Sequence, residues 1–476
     1  MNNTRREFLA TAGMAAGAGL LSEDARAQET QNWPGFIDTN EMHTVNFMDQ
    51  YYNGLTAIAR GILDTQVDNI AAAMEKAYEC RRNGGTVCAD FVFTHAPEFE
   101  MSPERPGQPW ILPLLDDAYS MNKNSYSRLK KGDFVLACRN TLDKSEIEAR
   151  KRGVFIAGVT NPFFKFAETP EGVLFQDQSA VEDFANIKID SQTTWEVGLV
   201  KSPKLHFSFC PVGPTAIYLV YWAATASLAN LISTKGRGSA AEPARRYLEM
   251  AVERMEWIGT SRPKITAVTE EWADRMIDRK ARIMMYGRPM PSAAKKTTRL
   301  SNVFTDEATG AGSCQMVMPL GKVIDINIPS SIDGTRPGNI PKPGDIVIIG
   351  GITSDNEDEI NVAREVRKIG AQTVAFCPFK TEGDSSDYRL FREVDHAFDT
   401  YSYERAGVFE SAGFKEKVSP LSTVTANLVH WMLTASWADH MARRGEHPYF
   451  RQPYCYVGAG EYNRNVVVPN APKRGY

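Results

Sequence analysis

The chain has 476 residues, of which 43% are hydrophobic and 24% charged. Its 54 basic and 58 acidic side chains leave a net charge of −4, and the mean hydropathy is −0.34. Such a composition excludes full-length disorder, a polytopic membrane protein and a general electrostatic affinity for nucleic acid or acidic membrane. The seven cysteines are scattered, with no C-x-x-C pair, which excludes a disulfide scaffold and a zinc framework. The seven histidines show no H-E-x-x-H spacing, and there is no Walker loop or G-x-S-x-G elbow, so neither a metal nor a cofactor is expected.

Residues 1–27 read as an address. Arg5 and Arg6 precede Phe8 and Leu9, a mildly apolar Ala/Gly stretch follows over 10–21, and Ala25-Arg26-Ala27 is a small-x-small cleavage pattern. The segment resembles a twin-arginine export signal. Its apolar stretch falls short of the roughly 20 residues that span a bilayer, so no stable membrane insertion is expected after cleavage. The resemblance implies the twin-arginine export machinery as a partner, a mature chain beginning near Gln28, and a periplasmic location where disulfides are chemically permitted.

Beyond the leader, two stretches look alike. Residues 130–163 and 342–379 each run Gly-Asp turn, short apolar run, polar loop, charged helical stretch, Gly, second apolar run. Runs such as Ile346-Val347-Ile348-Ile349 are apolar at every position, as in strands covered on both faces. The helix of the second unit carries Ile360, Ala363 and Val366 toward a core, with Glu357, Asp358 and Arg364 outside. This is a β-loop-α-β pattern with parallel strands. Downstream, residues 211–236 parallel 418–445, each a long apolar helix opened by Gly-Pro or Ser-Pro. The order predicts a duplicated domain, with residues 236–246 as the linker.

Three stretches of the second half resemble the sugar isomerase (SIS) family of phosphosugar isomerases and phosphosugar-binding domains. They are GDIVIIGGITSDNEDEINVAREVRKIGAQTVAF, FESAGFKEKVSPLSTVTANLVHWML and YVGAGEYNRN. The resemblance covers most of 247–466 and extends more weakly into the first half. It implies an α/β fold of two tandem αβα sandwiches with parallel, flavodoxin-like sheets, one over 40–235 and one over 247–466. It also implies a ligand crevice at the carboxyl ends of the strands, where parallel sheets generally bind their ligands, and association into homo-oligomers.

The candidate site residues lie on the corresponding loops. In the second half, Thr353, Ser354 and Asn356 follow the first strand of the repeated unit. Asp355, Glu357, Asp358 and Glu359 beside them already satisfy the helix dipole and repel a phosphate, and Ser354 or Asp355 also suits a helix N-cap. In the first half the equivalent loop offers Arg139, Asn140 and Thr141, and Arg139 with Lys144 suits an anion such as a uronate carboxylate. The family's first loop corresponds to Thr94 and His95 in one half and to Arg288 and Ser292 in the other. Ser422 and Thr423 open the long apolar helix and suit either a ligand hydroxyl or a helix cap. In the tail, Glu461 and Asn463 match the family's acid and Asn, while Tyr462 replaces its His. Aldose–ketose isomerisation needs a base, for which a partly buried Glu is suited. Glu461 is the first candidate and Glu410 the second.

Three functions remain open on these residues. The protein is an exported sugar isomerase acting on an unphosphorylated or acidic sugar, a non-catalytic carbohydrate-binding protein on the same fold, or an assembly protein. The first two imply a small carbohydrate derivative as partner.

Overall fold

The computed structural model describes residues 41–91, 112–113, 126–138, 144–160, 185–193, 198–286, 316–317, 341–383, 389–404, 406–412, 414, 416–451 and 459–467. The first half begins with helices α1 (Phe47–Thr65) and α2 (Val67–Arg82) and strands β1 (Val87–Phe91) and β2 (Leu112–Pro113). It continues through β3 (Phe134–Cys138), α3 (Lys144–Lys151), β4 (Phe155–Thr160) and β5 (Ile187–Asp190). A small pair, β6 (Gly198–Val200) and β7 (Phe209–Pro211), leads into the long helix α4 (Gly213–Ser233). The second half runs α5 (Ala241–Gly259), α6 (Arg262–Arg279), β8 (Ile283–Tyr286), the short β9 (Met316–Val317) and β10 (Ile346–Gly350). Then come α7 (Glu357–Ile369), β11 (Gln372–Cys377), β12 (His396–Asp399), α8 (Ser422–Arg443), β13 (Phe450–Arg451) and the one-turn α9 (Ala459–Tyr462).

The first sheet runs β2-β1-β3-β4-β5 and the second β12-β11-β10-β8, and every pairing within each is parallel. The expected α/β class with parallel, flavodoxin-like sheets is therefore present. Both βαβ units form where the sequence placed them. The reason is visible in the strands: β3 and β10 are buried at every position. Phe134, Leu136 and Cys138 face the central core, while Val135 and Ala137 face a smaller outer cluster with Ala149 of α3. In the same way Ile346 and Ile348 face the centre, and Val347 and Ile349 meet Ile360, Ala363 and Val366 of α7. Successive side chains point to opposite faces, so a strand covered on both must be apolar throughout.

Each repeated Gly-Asp turn has one physical job. Gly132 and Gly344 sit at φ 93° and 89°, where a side chain is strained. That turn aims the next carboxylate at two backbone donors. Asp133 accepts from the N–H groups of Thr86 and Lys130, both at 2.8 Å. Asp345 accepts from those of Arg282 and Lys342 at 2.9 and 2.8 Å. Each aspartate thus fastens the start of its strand to the neighbouring strand's entry.

The central core is helical. The first helix of each half packs on the long apolar helix of the other, α1 on α8 and α5 on α4, and also on that of its own half, and α1 meets α5. The second helices, α2 and α6, pack on α4 and α8 of their own halves. Such a position demands apolarity all round the helix. Accordingly α8 is buried from Ser422 through Ala442. Helix α4 is long and apolar enough to cross a membrane, yet 89% of its apolar window is buried inside the protein, which accounts for its composition. Buried hydroxyls in these helices return their protons to the preceding turn, as Thr225 does to the Tyr221 carbonyl at 2.9 Å and Thr434 to that of His430 at 3.0 Å. Tyr51 donates to the Pro211 carbonyl at 3.4 Å, and Tyr247 makes the equivalent bond to Pro420 at 3.0 Å.

One boundary needs correction. Residues 236–246 read as a linker, but α4 ends at Ser233 and α5 begins at Ala241, so 234–240 connect the helices. Pro243 misled the reading: in the first turn of a helix a proline loses no hydrogen bond. The five cysteines among the described residues are unpaired and buried. Burial pushes the Cys80 thiol up to about 11 and those of Cys138, Cys210 and Cys377 well above their ordinary value. They behave as small apolar residues.

Candidate functional site

The carboxyl edge of the second sheet is described at three neighbouring strand exits, and its loops are tied to one another. After β10 the chain runs through Gly351 to Ser354. The Ser354 amide donates to Thr381 Oγ1 at 3.2 Å, and the two hydroxyls lie 3.3 Å apart. The Ser354 carbonyl accepts from the Leu390 amide at 2.8 Å. After β11, the Phe379 amide donates to Asp399 at the end of β12, at 3.2 Å. The Glu382 amide donates to the Tyr403 carbonyl at 2.7 Å. Gly351 is required here: a Cβ would lie 2.8 Å from Glu359 Oε2 and 3.1 Å from Cys377.

Against this frame the expected residues divide. Ser354 is fully buried and bound to Thr381, and Thr353 is half-buried beside it. Asn356, the residue before α7, caps that helix, its Oδ1 accepting from the Glu359 amide at 3.4 Å. Glu359 is 2% exposed and sits beneath this loop. Ser422 and Thr423 are buried in the first turn of α8, which has no side-chain cap.

The two proposed bases differ from expectation. Glu461 is exposed on α9, not partly buried. Its neighbours anchor the tail instead: Tyr462, fully buried, packs edge-on against Phe207 at 5.9 Å, and Asn463 is buried beside it. The Glu410 side chain is 81% exposed, with Lys417 at 3.6 Å. Exposure follows from the irregular loop around the Phe409–Val418 bridge, which turns Phe409 inward and Glu410 outward. Thr94, His95, Arg139, Asn140, Thr141, Arg288 and Ser292 lie outside the described residues.

A polar cluster at the exit of β12 was not foreseen. Asp399 Oδ1 accepts from the Tyr401 amide at 2.8 Å, and Oδ2 from the Tyr403 hydroxyl at 3.1 Å. Burial raises the Asp399 pKa, with those hydrogen bonds and Arg254 opposing the shift. Burial also raises that of Tyr403, helped by Asp399. Tyr401 takes a left-handed conformation at φ 53°, unusual for an aromatic residue and held by its bond to Asp399. From α5, Arg254 reaches this exit and donates from Nη2 to Glu404 Oε1 at 3.0 Å. Its guanidinium lies 4.3 Å from the Trp257 ring centre and 5.4 Å from that of Tyr403. Arg254 is 7% exposed. Its Nε and Oε2 of Glu404 are buried with no hydrogen-bond partner. The only sequence signal was the aromatic and charged run FDTYSYE after a strand, whose partner lies some 150 residues away.

A shallow hollow of about 440 Å³ lies elsewhere, between the start of α1 and the α5–α6 junction. It is lined by Asn46, Asp49, Thr260 and Arg262 among others, and Arg262 and Asp49 are paired across it at 2.9 Å. The ion pair closes its polar groups on each other.

No protein-family model matches the chain, and no curated protein matches it. Solved structures align along most of its length. The C-terminal domain of glucosamine-fructose-6-phosphate aminotransferase from Francisella tularensis aligns with TM-score 0.43 and 11% identity, over 87% of this chain and 100% of that one. A provisionally named phosphosugar isomerase from Clostridium difficile 630 aligns with TM-score 0.43 and 10% identity, over 84% and 93%. Glucosamine-6-phosphate deaminase from Thermotoga maritima aligns with TM-score 0.34 and 9% identity, over 84% and 96%. Likeness at this level says nothing about activity.

Proposed function

We propose that this protein is an exported, sugar-isomerase-type (SIS) protein that binds a carbohydrate derivative at the carboxyl edge of its sheets. In this reading it is built from tandem copies over 40–235 and 247–466. One observation carries it. The strand order β8-β10-β11-β12 repeats β1-β3-β4-β5, with the same aspartate turn before the second strand of each and the same tyrosine-to-proline bond. The repetition agrees with the family resemblance of the second half, and parallel sheets of this kind take ligands at their carboxyl edges. In this reading the ligand is unphosphorylated, because Ser354, a hydroxyl of the loop after β10, is engaged by Thr381.

Binding without turnover is the second reading, favoured by the exposure of Glu461 and Glu410. A panel of aldoses, hexosamines, uronates and their phosphates separates the two. At least one unphosphorylated sugar should raise the melting temperature of the mature protein; saturation at about 100 times Kd adds roughly 2.7 kcal/mol. Failure of every sugar to stabilise folded protein sinks the proposal. Isomerase activity requires solvent deuterium to enter the bound sugar, and Glu461→Gln should abolish that exchange. Binding with no exchange leaves the non-catalytic reading.

Export is tested separately. The mature protein should be recovered from the periplasm beginning near Gln28, and replacing Arg5 and Arg6 with lysine should leave the full-length precursor in the cytoplasm. Unchanged export of that variant would contradict the twin-arginine route.

A further inference from the structure

We infer that the exit of β12 is a binding subsite for the ring of a neutral, hydroxyl-bearing ligand, with Trp257, Arg254 and Glu404 as its contacts. The inference rests on the carbohydrate reading above and narrows it to one half and one class of sugar.

The chemistry comes from what the ion pair leaves over. One N–H of Arg254 and one oxygen of Glu404 stay buried without partners after Nη2 and Oε1 have bonded. Buried polar groups are almost always satisfied, so an orphan pair calls for an occupant. That occupant must accept from Nε and donate to Oε2. A hydroxyl does both. A phosphate or carboxylate only accepts, and an ammonium only donates. The charge balance agrees: Glu404 cancels Arg254, and Asp399 lies close by, so among the described residues of this cluster no positive charge is left over to hold an anion.

The setting suits a sugar ring. Trp257 keeps 36% of its surface exposed although Arg254 lies over its ring, and it meets Tyr401 edge-on at 5.7 Å. An aromatic face beside polar groups is the usual platform for the C–H side of a sugar. The cluster stands at a strand's carboxyl end, where ligands of parallel sheets bind.

The two helix members of this cluster have different counterparts in the first half. The bonds of Tyr51 to Pro211 and of Tyr247 to Pro420 set the register between α1 and α5. In that register Arg254 corresponds to Ile58, and Trp257 to Gly61. The strand-exit turn itself is the same in both halves: Gln192, like Tyr401, is left-handed and donates its N–H to the last aspartate of its strand, at 2.7 Å. At that exit Gly61 abuts Gln192, and a Cβ there would lie 3.0 Å from its Oε1. The same turn therefore forms with Ile58 and Gly61 in the places of Arg254 and Trp257.

The test is titration of the mature protein with glucose, galactose, N-acetylglucosamine, glucuronate and glucose 6-phosphate, followed by calorimetry and by tryptophan fluorescence. A neutral sugar should bind the wild type, and Trp257→Ala and Glu404→Gln should each weaken it at least roughly tenfold. Trp257→Phe, which keeps a ring, should stay within about threefold. If Glu404→Gln fails to fold, the half-exposed Trp257 variants decide. Neutral-sugar binding unchanged in Trp257→Ala would overturn the subsite and leave the carbohydrate reading standing. Binding of glucuronate or glucose 6-phosphate alone would overturn the ligand class. No binding of any sugar would overturn both.

Discussion

Replacing Asp345 with alanine should cost about 3–5 kcal/mol of stability, in the range of buried charge pairs broken by losing one partner. The carboxylate is 4% exposed and accepts from the amides of Arg282 and Lys342, while the Arg282 side chain donates to it from Nε at 3.1 Å. Alanine removes the acceptor from two backbone donors and a guanidinium at once. The matching change in the first half, Asp133→Ala, should cost less, about 1–3 kcal/mol, since that carboxylate serves the two amides of Thr86 and Lys130. Urea unfolding of both variants checks the order. If Asp345→Ala proved as stable as the wild type, the account of the Gly-Asp turns as fasteners between strands would be wrong.

Acid should destabilise the protein well before its carboxylates are protonated. Burial lowers the His430 pKa from 6.5 to about 3. It lowers that of His447 from 6.5 to about 4, with Lys204 and His43 adding to the effect. In both cases the unfolded chain takes up the proton first. The stability is therefore complete above pH 6.5 and declines as pH falls toward the folded values. By pH 5 each histidine should have withdrawn about 2 kcal/mol, at roughly 1.4 kcal/mol per pH unit. Urea midpoints between pH 7.5 and 5 measure the decline, and His430→Gln together with His447→Gln should flatten it. A wild type equally stable at pH 7.5 and pH 5 would show that neither ring is held neutral by burial.

Much of the architecture was legible from local pattern alone. Runs such as FVLAC and IVIIG are apolar at every position, and only strands covered on both faces require that. The proline-opened apolar stretches gave away α4 and α8 for a similar reason, since a helix surrounded by others has no polar face. The start of α5 was misread because a proline-containing stretch has the same composition in a linker as in a helix's first turn.

The site was less legible. Matching loop positions to a family pattern identifies which residues could face a ligand, but not whether they do. Ser354 turned out to be bound to Thr381, and Glu461 to stand in solvent. Conversely, nothing local marked Arg254, which lies on a helix with an ordinary amphipathic pattern.

Sequence by itself determined the parallel βαβ units, the buried long helices and the aspartate turns, because each depends on side chains within a few residues or on a face's period. The tertiary structure alone decided that α1 packs on α8 and α5 on α4, and that Arg254 meets Glu404 beside Trp257. Burial and the number of partners left to a polar atom are properties of the packed chain: they depend on which distant segments arrive, and no local window contains them.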